Sequence, residues 1–408
     1  MYFKNKRLLI LGGTRLMVHV VDTAKRMGVY TIVTDMDPNS PAKRFSDKCY
    51  NISTSNIDEI VNMAKMEHID GVFAGYDDQN TGFAVEICKR LGLRFYANKE
   101  QIQLTKNKIE FKNLCRSYNV PVVVQYDNEH IVFPCVVKPA DSYSSKGITI
   151  CYNDKQLNEA INFAKSFSKS GQYLIEKYMD SESSNCVNID YIIVDGKIVL
   201  SIVGDKYVIR QENKAPLTDV VVYPSKYAKE FIDEVDEKIK RMFESLNMKN
   251  GVAFIEAFHD DNGFAIYEMG YRVGGGQSSI LVNKIYGIDY IEMLINYALT
   301  GRMIKDNSIY INPIDCQDCC GLVVLVKPGT IKKIEGLDSV RAIPGVINIT
   351  QYLYEGDTIE NKLLGTLGQT FARIHIIANN RDDLVEKMRL TRQILHVFSD
   401  SGNDMIVK

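Results

Sequence analysis

The sequence FIEAFHDDNGFAIYEMGYRVGGGQ, from Phe254 to Gln277, carries the pattern that decides the fold. It predicts two strands, at 251–259 and 264–268, joined by a turn at 260–263. Glu256 lies within the first apolar run and Glu268 closes the second. A buried acid in a strand is costly unless it is paired or bound to a cation. Two carboxylates on adjacent strands therefore suggest a shared Mg²⁺ site, because hard cations prefer carboxylate oxygen and keep phosphate as a further ligand.

An arginine and a run of glycines follow the second carboxylate. Arg272 comes four residues after Glu268, and the three glycines 274–276 come next. A phosphate or an acyl phosphate needs a fork of donors such as a guanidinium, and glycine lets the backbone approach a ligand closely. The alternative is a plain hairpin with two half-exposed acids and a glycine turn. This stretch alone gives the two interpretations equal weight.

Composition indicates an ordinary globular protein. The chain has 408 residues, 45% of them hydrophobic, which is enough for two to four domains. A net charge of −2 gives no case for binding nucleic acid or an anionic membrane. No apolar run reaches the length of a membrane span. The nine cysteines are scattered and odd in number, which favours a reducing, cytoplasmic location.

The first hundred residues alternate between short apolar strands and helices. Strands are predicted at 7–11, 30–34 and 71–74, with helices between and after them, and this alternation is typical of a doubly wound parallel sheet. Ligands bind at the carboxyl ends of such strands. Asp77 and Asp78 stand at one of these ends and either face a substrate or cap the next helix. The capping role is favoured for Asp78.

A polar loop with a lysine at each end follows a β-branched strand. The strand 134–137 runs into Lys138, and the loop 140–147 ends at Lys146 and Gly147. Such a loop suits a flexible lid over phosphates, since its backbone N–H groups and hydroxyls can donate to phosphate oxygens. The alternative is an ordinary hairpin loop. The lid is favoured because a cation after an apolar strand is costly without an anionic partner.

These segments together resemble the ATP-grasp superfamily, in particular its biotin carboxylase and carbamoyl phosphate synthetase-like ligases. That group includes phosphoribosylglycinamide synthetases and L-amino-acid ligases. The resemblance implies a multidomain protein of α/β and α+β class. Residues 1–100 are expected to form a parallel α/β domain. Residues 101–305 are expected to form an ATP-grasp fold of two α+β subdomains, with a lid at about 130–180, and residues 306–408 a small α+β domain.

The resemblance also implies a role for each matching residue. The nucleotide is expected to contact the following residues: Lys108, Lys138, Ser144, Ser145, Gly147, and the adenine hinge Glu176, Lys177, Tyr178 and Met179. Glu256 and Glu268 are expected to bind the metal, and Arg272 and Lys146 to act on the reacting groups. One residue departs from the pattern, because Gly270 stands where the family usually carries an asparagine. That change removes one expected metal ligand.

The implied activity is an ATP-dependent carboxylate–amine ligase that forms an acyl phosphate and uses Mg²⁺, with Mn²⁺ as a substitute. The expected partners are a small-molecule carboxylate and an amine, with no nucleic acid and no membrane, in a protein that resembles homodimeric relatives. The C-terminal segment 327–349 favours an amino acid as the acid. A phosphoribosylglycinamide synthetase-type purine ligase remains an alternative, as does a non-catalytic ATP-binding regulator.

Overall fold

The N-terminal region is a parallel sheet with helices on both faces. The computed structural model describes residues 3–142, 146–179, 185–210, 216–303, 309 and 311–407. The N-terminal elements are β1 (Arg7–Leu11), α1 (Met17–Arg26), β2 (Tyr30–Thr34), β3 (Lys48–Tyr50), α2 (Ile57–Met66), β4 (Gly71–Phe73) and α3 (Asp78–Leu91). The strands pair in parallel in the order β3-β2-β1-β4.

Strand β1 explains why this sheet is covered on both sides. Leu8 and Ile10 pack into a core shared with α1, whereas Leu9 and Leu11 pack into a separate core with α2 and α3. Successive side chains of a strand point to opposite faces, so a continuous apolar strand needs two cores. The predicted doubly wound parallel sheet is confirmed.

Two helices and a small antiparallel sheet follow. They are α4 (Lys99–Lys106), α5 (Lys108–Ser117), β5 (Gln125–Tyr126), β6 (Cys135–Pro139), β7 (Thr149–Cys151), α6 (Asp154–Phe167) and β8 (Tyr173–Lys177). Asn98 caps α4 with a capping box, and Asn107 caps α5 by accepting from the backbone of Ile109 and Glu110. The strand order is β5-β8-β6-β7. Val122 forms only an isolated bridge with Ile266, and β5 begins three residues later at Gln125.

The rest of the chain builds one large antiparallel sheet. Its central elements are β9 (Asn185–Val194), β10 (Lys197–Ile209), β11 (Leu217–Tyr223), α7 (Ala228–Phe231), α8 (Glu237–Ser245), β12 (Gly251–Asp260), β13 (Gly263–Gly270), α9 (Ser279–Tyr286) and α10 (Tyr290–Thr300). The C-terminal elements are β14 (Cys319–Leu325), β15 (Gly329–Glu335), α11 (Leu337–Arg341), β16 (Val346–Gln351), β17 (Thr358–Ile359), β18 (Thr370–Ile377), α12 (Arg381–Ile394) and β19 (His396–Ser399).

This sheet crosses the predicted boundary at residue 305. Its order is β13-β12-β9-β10-β11-β14-β18-β16, so β11 pairs with β14 and joins the central strands to the C-terminal ones. A separate three-stranded sheet, β17-β15-β19, lies in the C-terminal region. The C-terminal strands are therefore placed beside the central site by backbone hydrogen bonds.

Some elements differ from the predictions. The helical segment after β11 is interrupted by a π-helical turn at Ile232–Asp236 between α7 and α8. Strand β11 was not predicted, although the run VVVY at 220–223 is β-branched and apolar, which is a strand signal. Helix α9 directly after the glycine run was also missed. No helix among the described residues is long and apolar enough to cross a bilayer.

Candidate active site

The two predicted metal carboxylates lie side by side. Glu256 on β12 is directly opposite Glu268 on β13, so both side chains point to the same face of the sheet. Lys206 Nζ donates to Glu256 Oε1 at 2.8 Å, and the Tyr267 hydroxyl donates to Glu256 Oε2 at 2.6 Å. Within the described residues, Glu268 forms no ion pair with a lysine or arginine. The two acids thus have different partners.

The pKa values of the two acids shift in opposite directions. Burial works to raise the pKa of Glu256, but Lys206 and the hydrogen bonds hold it below its ordinary value. Burial and the neighbouring Glu256 carboxylate raise the pKa of Glu268, and Lys108 and Arg272 offset only part of that rise. Glu268 is therefore a carboxylate that still lacks a close cation.

Lys206 is a site residue that the sequence analysis missed. It lies on β10, where Asp205 and Lys206 interrupt an apolar strand. Charged residues in such a strand are a signal, because burial of a lysine requires a partner. The partner, Glu256, is 50 residues away in sequence.

Arg272 is held by an acid from helix α3 of the N-terminal region. Its Nε and Nη2 donate to Asp78 Oδ1 and Oδ2 at 2.6 and 2.9 Å, which is a bidentate pair. The capping role favoured for Asp78 is wrong, because Asp77 is the N-cap of α3 and accepts from the Asn80 backbone at 2.8 Å. Asp78 is instead the first residue of the helix, and its carboxylate turns toward the guanidinium.

An aromatic ring fills the space beside Gly270. A Cβ atom at this position would collide with the Phe254 ring. The Arg272 guanidinium lies 4.7 Å from the centre of the same ring. Glycine is therefore required by packing here, and the ring takes the room that an asparagine side chain would occupy.

A buried cluster of two lysines and one acid forms the second half of the site. Lys138 at the end of β6 pairs with Glu176 Oε2 at 2.5 Å, and Lys112 on α5 contacts Glu176 Oε1. All three side chains are buried. Burial opposes ionisation of Glu176, but Lys138 and Lys112 keep its pKa below the ordinary value. Burial and Lys138 lower the pKa of Lys112 to about 7.

Lys108 lies close to both the buried lysine cluster and the Glu256–Glu268 pair. Its Nζ donates to the Ser142 carbonyl at 2.7 Å, and its backbone N–H donates to the Ala140 carbonyl at 2.8 Å. Burial lowers its pKa, while Glu268 raises it. A cavity of about 20 Å³ is lined by residues that include Asp78, Lys108, Ser142 and Glu268. Lys112, four residues after Lys108 on the same helix face, was missed, although its spacing was a signal.

The structure describes only some of the residues predicted to form the lid and the adenine hinge. Ser144 and Ser145 lie outside the described residues. Lys146 is exposed, and Gly147 has φ +78° and packs against Pro139 and Phe167, which leaves no room for a side chain. These lid roles stay predictions.

The hinge residues make strand contacts. The Lys177 backbone N–H donates to Val124 and that of Tyr178 to Pro134, at 2.9 and 3.3 Å. The Glu176 side chain pairs with the lysines, and Met179 is buried. Lys177 Nζ lies 3.4 Å from Asp260. The adenine role of these residues also stays a prediction.

Two known family models match the chain, one in its N-terminal region and one in its central region. Residues 104–296 match the family model described as D-ala D-ala ligase C-terminus, and residues 8–88 match the PylC-like N-terminal domain. Among curated relatives, the formate-dependent phosphoribosylglycinamide formyltransferase of Sulfurisphaera tokodaii is 27% identical over 59% of this chain and 64% of its own length. The propionyl-CoA carboxylase alpha chain of Caenorhabditis briggsae is 25% identical over 44% of this chain and 28% of its own length. The chain thus spans less than two thirds of these relatives.

Solved structures align along nearly the whole chain. The L-amino acid ligase from Bacillus licheniformis has a TM-score of 0.77 at 19% identity and covers 97% of this chain and 99% of its own. The phosphoribosylglycinamide synthetase from Anaerococcus prevotii has a TM-score of 0.76 at 19% identity, covering 97% and 100%. The biotin carboxylase domain of a Hydrogenobacter thermophilus 2-oxoglutarate carboxylase, solved with MgADP, has a TM-score of 0.78 at 18% identity, covering 98% and 91%. Residues 104–296 carry the paired strand carboxylates and the buried lysines, and this part of the chain belongs to the ATP-grasp superfamily.

Proposed function

We propose that the protein is an ATP-dependent carboxylate–amine ligase. The observation that carries this proposal is one small cavity lined by Asp78, Lys108 and Glu268, with Arg272 paired to Asp78 beside it. Asp78 comes from α3, Lys108 from α5 and Glu268 from β13, so the cavity lies where three parts of the chain meet. Such a junction suits a reaction that joins two substrates to a nucleotide.

The lysine cluster supports a site for the nucleotide phosphates. Lys112 and Lys138 share one carboxylate, Glu176, so the cluster carries excess positive charge when both lysines are protonated. Lys108 adds a further, half-buried cation, whose ammonium group is bonded only to a carbonyl among the described residues. Buried cations need anionic partners, and phosphate oxygens supply them.

The donor set at the facing strands fits a divalent metal. Glu268 lacks a close cation, and its raised pKa reflects the repulsion of Glu256 as well as burial. Carboxylate oxygens of this kind suit Mg²⁺ or Mn²⁺, and Glu268 would hold the ion with Glu256 as its neighbour. When bound, the ion would neutralise phosphate charge. Lys206 already balances Glu256, and Gly270 offers no side chain, so we assign the main role to Glu268.

The proposed reaction has two steps. A carboxylate oxygen of the acid substrate bonds to the γ-phosphorus of ATP, the bond from that phosphorus to the bridging oxygen breaks, and ADP leaves. The amine nitrogen then bonds to the carbonyl carbon, phosphate leaves with its acyl oxygen, and the amine proton passes to phosphate or solvent. Phosphoryl transfer needs positioning and charge neutralisation more than covalent help from the protein.

Arg272 and Asp78 are suited to the acyl end of this reaction. The guanidinium is fixed in place by two hydrogen bonds to Asp78 and by the Phe254 ring. A fixed guanidinium orients a phosphate without losing side-chain freedom when the ligand binds. We infer that Arg272 contacts the acyl phosphate and that Asp78 is a positioning residue.

An amino acid is the favoured acid substrate. The similarity to an L-amino acid ligase covers nearly the full length of both chains. A phosphoribosylglycinamide-type ligase is the second candidate, because a curated relative is named a phosphoribosylglycinamide formyltransferase and a similar solved structure a phosphoribosylglycinamide synthetase.

The test is ADP release from Mg·ATP in the presence of amino acids, singly and in pairs, with phosphoribosyl amines as a second panel. Lys138→Ala and Glu268→Ala should each abolish release. Lys155→Ala and Glu159→Ala change exposed residues of α6 and serve as matched controls that should retain it. Full activity in both site variants contradicts the proposal. Nucleotide binding without release in either panel favours the regulator.

A further inference from the structure

Buried polar atoms without partners gather at a second place in the fold. This place is the junction of the N-terminal sheet, the segment 274–279 and strands β16 and β18. Within the described residues, six buried side-chain atoms have no hydrogen-bond partner: Ser40 Oγ, Tyr76 Oη, Gln277 Nε2, Ser279 Oγ, Thr370 Oγ1 and His375 Nε2. Buried polar atoms in folded proteins are nearly always paired, so such a concentration needs a reason.

Specific contacts connect these residues. Tyr352 donates to Gln277 Oε1 at 2.8 Å, and Tyr352 also lies within electrostatic range of Tyr76. A Cβ atom added to Gly321 would lie 3.8 Å from His375 Nε2 and 3.9 Å from the Gly276 carbonyl oxygen, so both groups lie beside Gly321. Among the six residues with an unpartnered atom, these contacts bring Tyr76, Gln277 and His375 together at this junction.

Two arginines bring positive charge to the same cluster. Arg373 on β18 is only 8% exposed, and it contacts the Tyr352 hydroxyl. Arg15, which follows β1, donates to the Thr370 carbonyl at 3.2 Å and acts on Tyr352. Neither arginine forms an ion pair in the described part of the chain, and Asp357 acts on Arg15 only from a distance. A buried guanidinium without a carboxylate is costly.

His375 adds a neutral hydrogen-bonding group. Burial, followed by the charges of Arg373 and His19, lowers its pKa to about 3. The ring is therefore uncharged near neutral pH, and its Nε2 atom has no partner. The cluster combines two positive charges with neutral donors, which is the arrangement expected around a small oxyanion.

The backbone leaves room beside the cluster. A Cβ atom added to Gly275 or Gly276 would meet nothing within 4 Å. The next residue, Gln277, has φ +57°, a left-handed conformation that is uncommon for a side chain of this kind. Strained backbone of this sort is found at ligand sites, where the surrounding structure holds it.

The cluster is joined to the candidate active site by two short segments. Arg272 and Gln277 are five residues apart on one segment, and Tyr76 and Asp78 are two residues apart on the other. Each segment thus carries one residue of the Asp78–Arg272 pair and one residue of the cluster. A molecule bound at the cluster would extend toward the cavity beside Glu268.

We propose that the junction cluster, made of Arg15, Tyr76, Gln277, Tyr352, Arg373 and His375, binds a non-reacting oxyanion of the small-molecule substrate. The oxyanion is a carboxylate or a phosphate, which both accept several hydrogen bonds and carry the charge that the arginines lack. The proposal rests on the proposed ligase function, because it names the group that holds the substrate while another group reacts.

The test measures anion binding while the nucleotide site is filled. Thermal denaturation is followed with saturating Mg·ADP, and two arms are added at matched ionic strength. The phosphate arm uses inorganic phosphate and ribose 5-phosphate, and the carboxylate arm uses L-amino acids. We expect at least one arm to raise the wild-type midpoint. Arg373→Met should weaken that apparent affinity about 10- to 100-fold, as loss of a charged hydrogen bond predicts.

Matched variants separate this result from other causes. Arg392→Met removes an exposed arginine of α12 that pairs with Asp219, and it should leave the affinity unchanged. Arg15→Met and Arg373→Lys provide the same test if Arg373→Met does not fold. The proposal is overturned if neither arm shifts the wild-type midpoint, or if the Arg15 and Arg373 variants keep full affinity.

The midpoint shift caused by Mg·ADP alone is recorded for every variant. Absence of that shift contradicts the proposed function, whereas its presence without an anion response contradicts only the junction site. A response limited to one arm identifies the oxyanion as a phosphate or as a carboxylate.

Discussion

In the buried cluster of Lys112, Lys138 and Glu176, the loss of stability on substitution is expected to depend on which member is removed. Glu176→Gln leaves two buried ammonium groups without a carboxylate. Removing one partner of a buried ion pair typically costs about 3–5 kcal/mol, so we expect a loss of that size in the free energy of unfolding. Lys112→Met instead leaves Lys138 and Glu176 as a neutral pair. It also removes a lysine whose pKa is lowered to about 7 by burial and by Lys138, so its cost should be under about 1.5 kcal/mol.

The assay is urea unfolding at pH 7, read by circular dichroism with and without Mg·ATP. The nucleotide should raise the midpoint more for Glu176→Gln than for the wild type, because phosphate oxygens would replace the lost carboxylate beside Lys138. Lys155→Met on the surface of α6 is the control for removal of a lysine. Equal stability of Glu176→Gln and wild type, or equal losses in the Glu176 and Lys112 variants, would refute the reasoning.

Three further predictions concern the remaining buried groups. Gly270→Asn should cost about 1–3 kcal/mol through its clash with the Phe254 ring, and Phe254→Ala in the same chain should relieve part of that cost in a double-mutant comparison of unfolding midpoints. Asp78→Asn should lower the rate of ADP release about 10- to 100-fold by loosening the bound guanidinium, whereas Asp77→Asn, which keeps a helix cap, should have little effect on that rate. Burial raises the pKa of Asp190 to about 6 from 3.8, so its ionisation destabilises the fold as pH rises from about 4 to 6. Asp190→Asn should therefore gain about 3 kcal/mol over wild type at pH 7 and nothing at pH 4, and an equal gain at both pH values in urea unfolding contradicts this.

Much of the arrangement was predictable from local pattern. The turn at 260–263 put Glu256 and Glu268 on neighbouring strands, but it is a one-residue bulge between Glu256 and Ala257 that brings the two acids directly opposite each other. The parallel N-terminal sheet followed from its repeated strand and helix segments. The binding roles of the predicted site residues were not tested by these features and stay predictions.

Which charged side chains pair with each other was harder to predict from the sequence. Sequence reasoning gave Asp78 the wrong role because Asp77 and Asp78 are equally good caps by residue type, and only the helix start distinguishes them. The salt bridge of Asp78 to Arg272 spans 194 positions. Lys206 and Lys112 resemble ordinary lysines in the sequence, and only the fold shows that they pair with Glu256 and Glu176.

The sequence by itself determined the strand and helix periods, the hairpin turn and the presence of unusual charges in apolar strands, because these depend on residues close together in the chain. The tertiary structure decided which charges meet. It paired Lys206 with Glu256, left Glu268 without a close cation, and brought Arg15 and Arg373, 358 positions apart, to the same buried tyrosine. Coulomb interactions and desolvation depend on distance and burial in space, and neither quantity is written in the order of the residues.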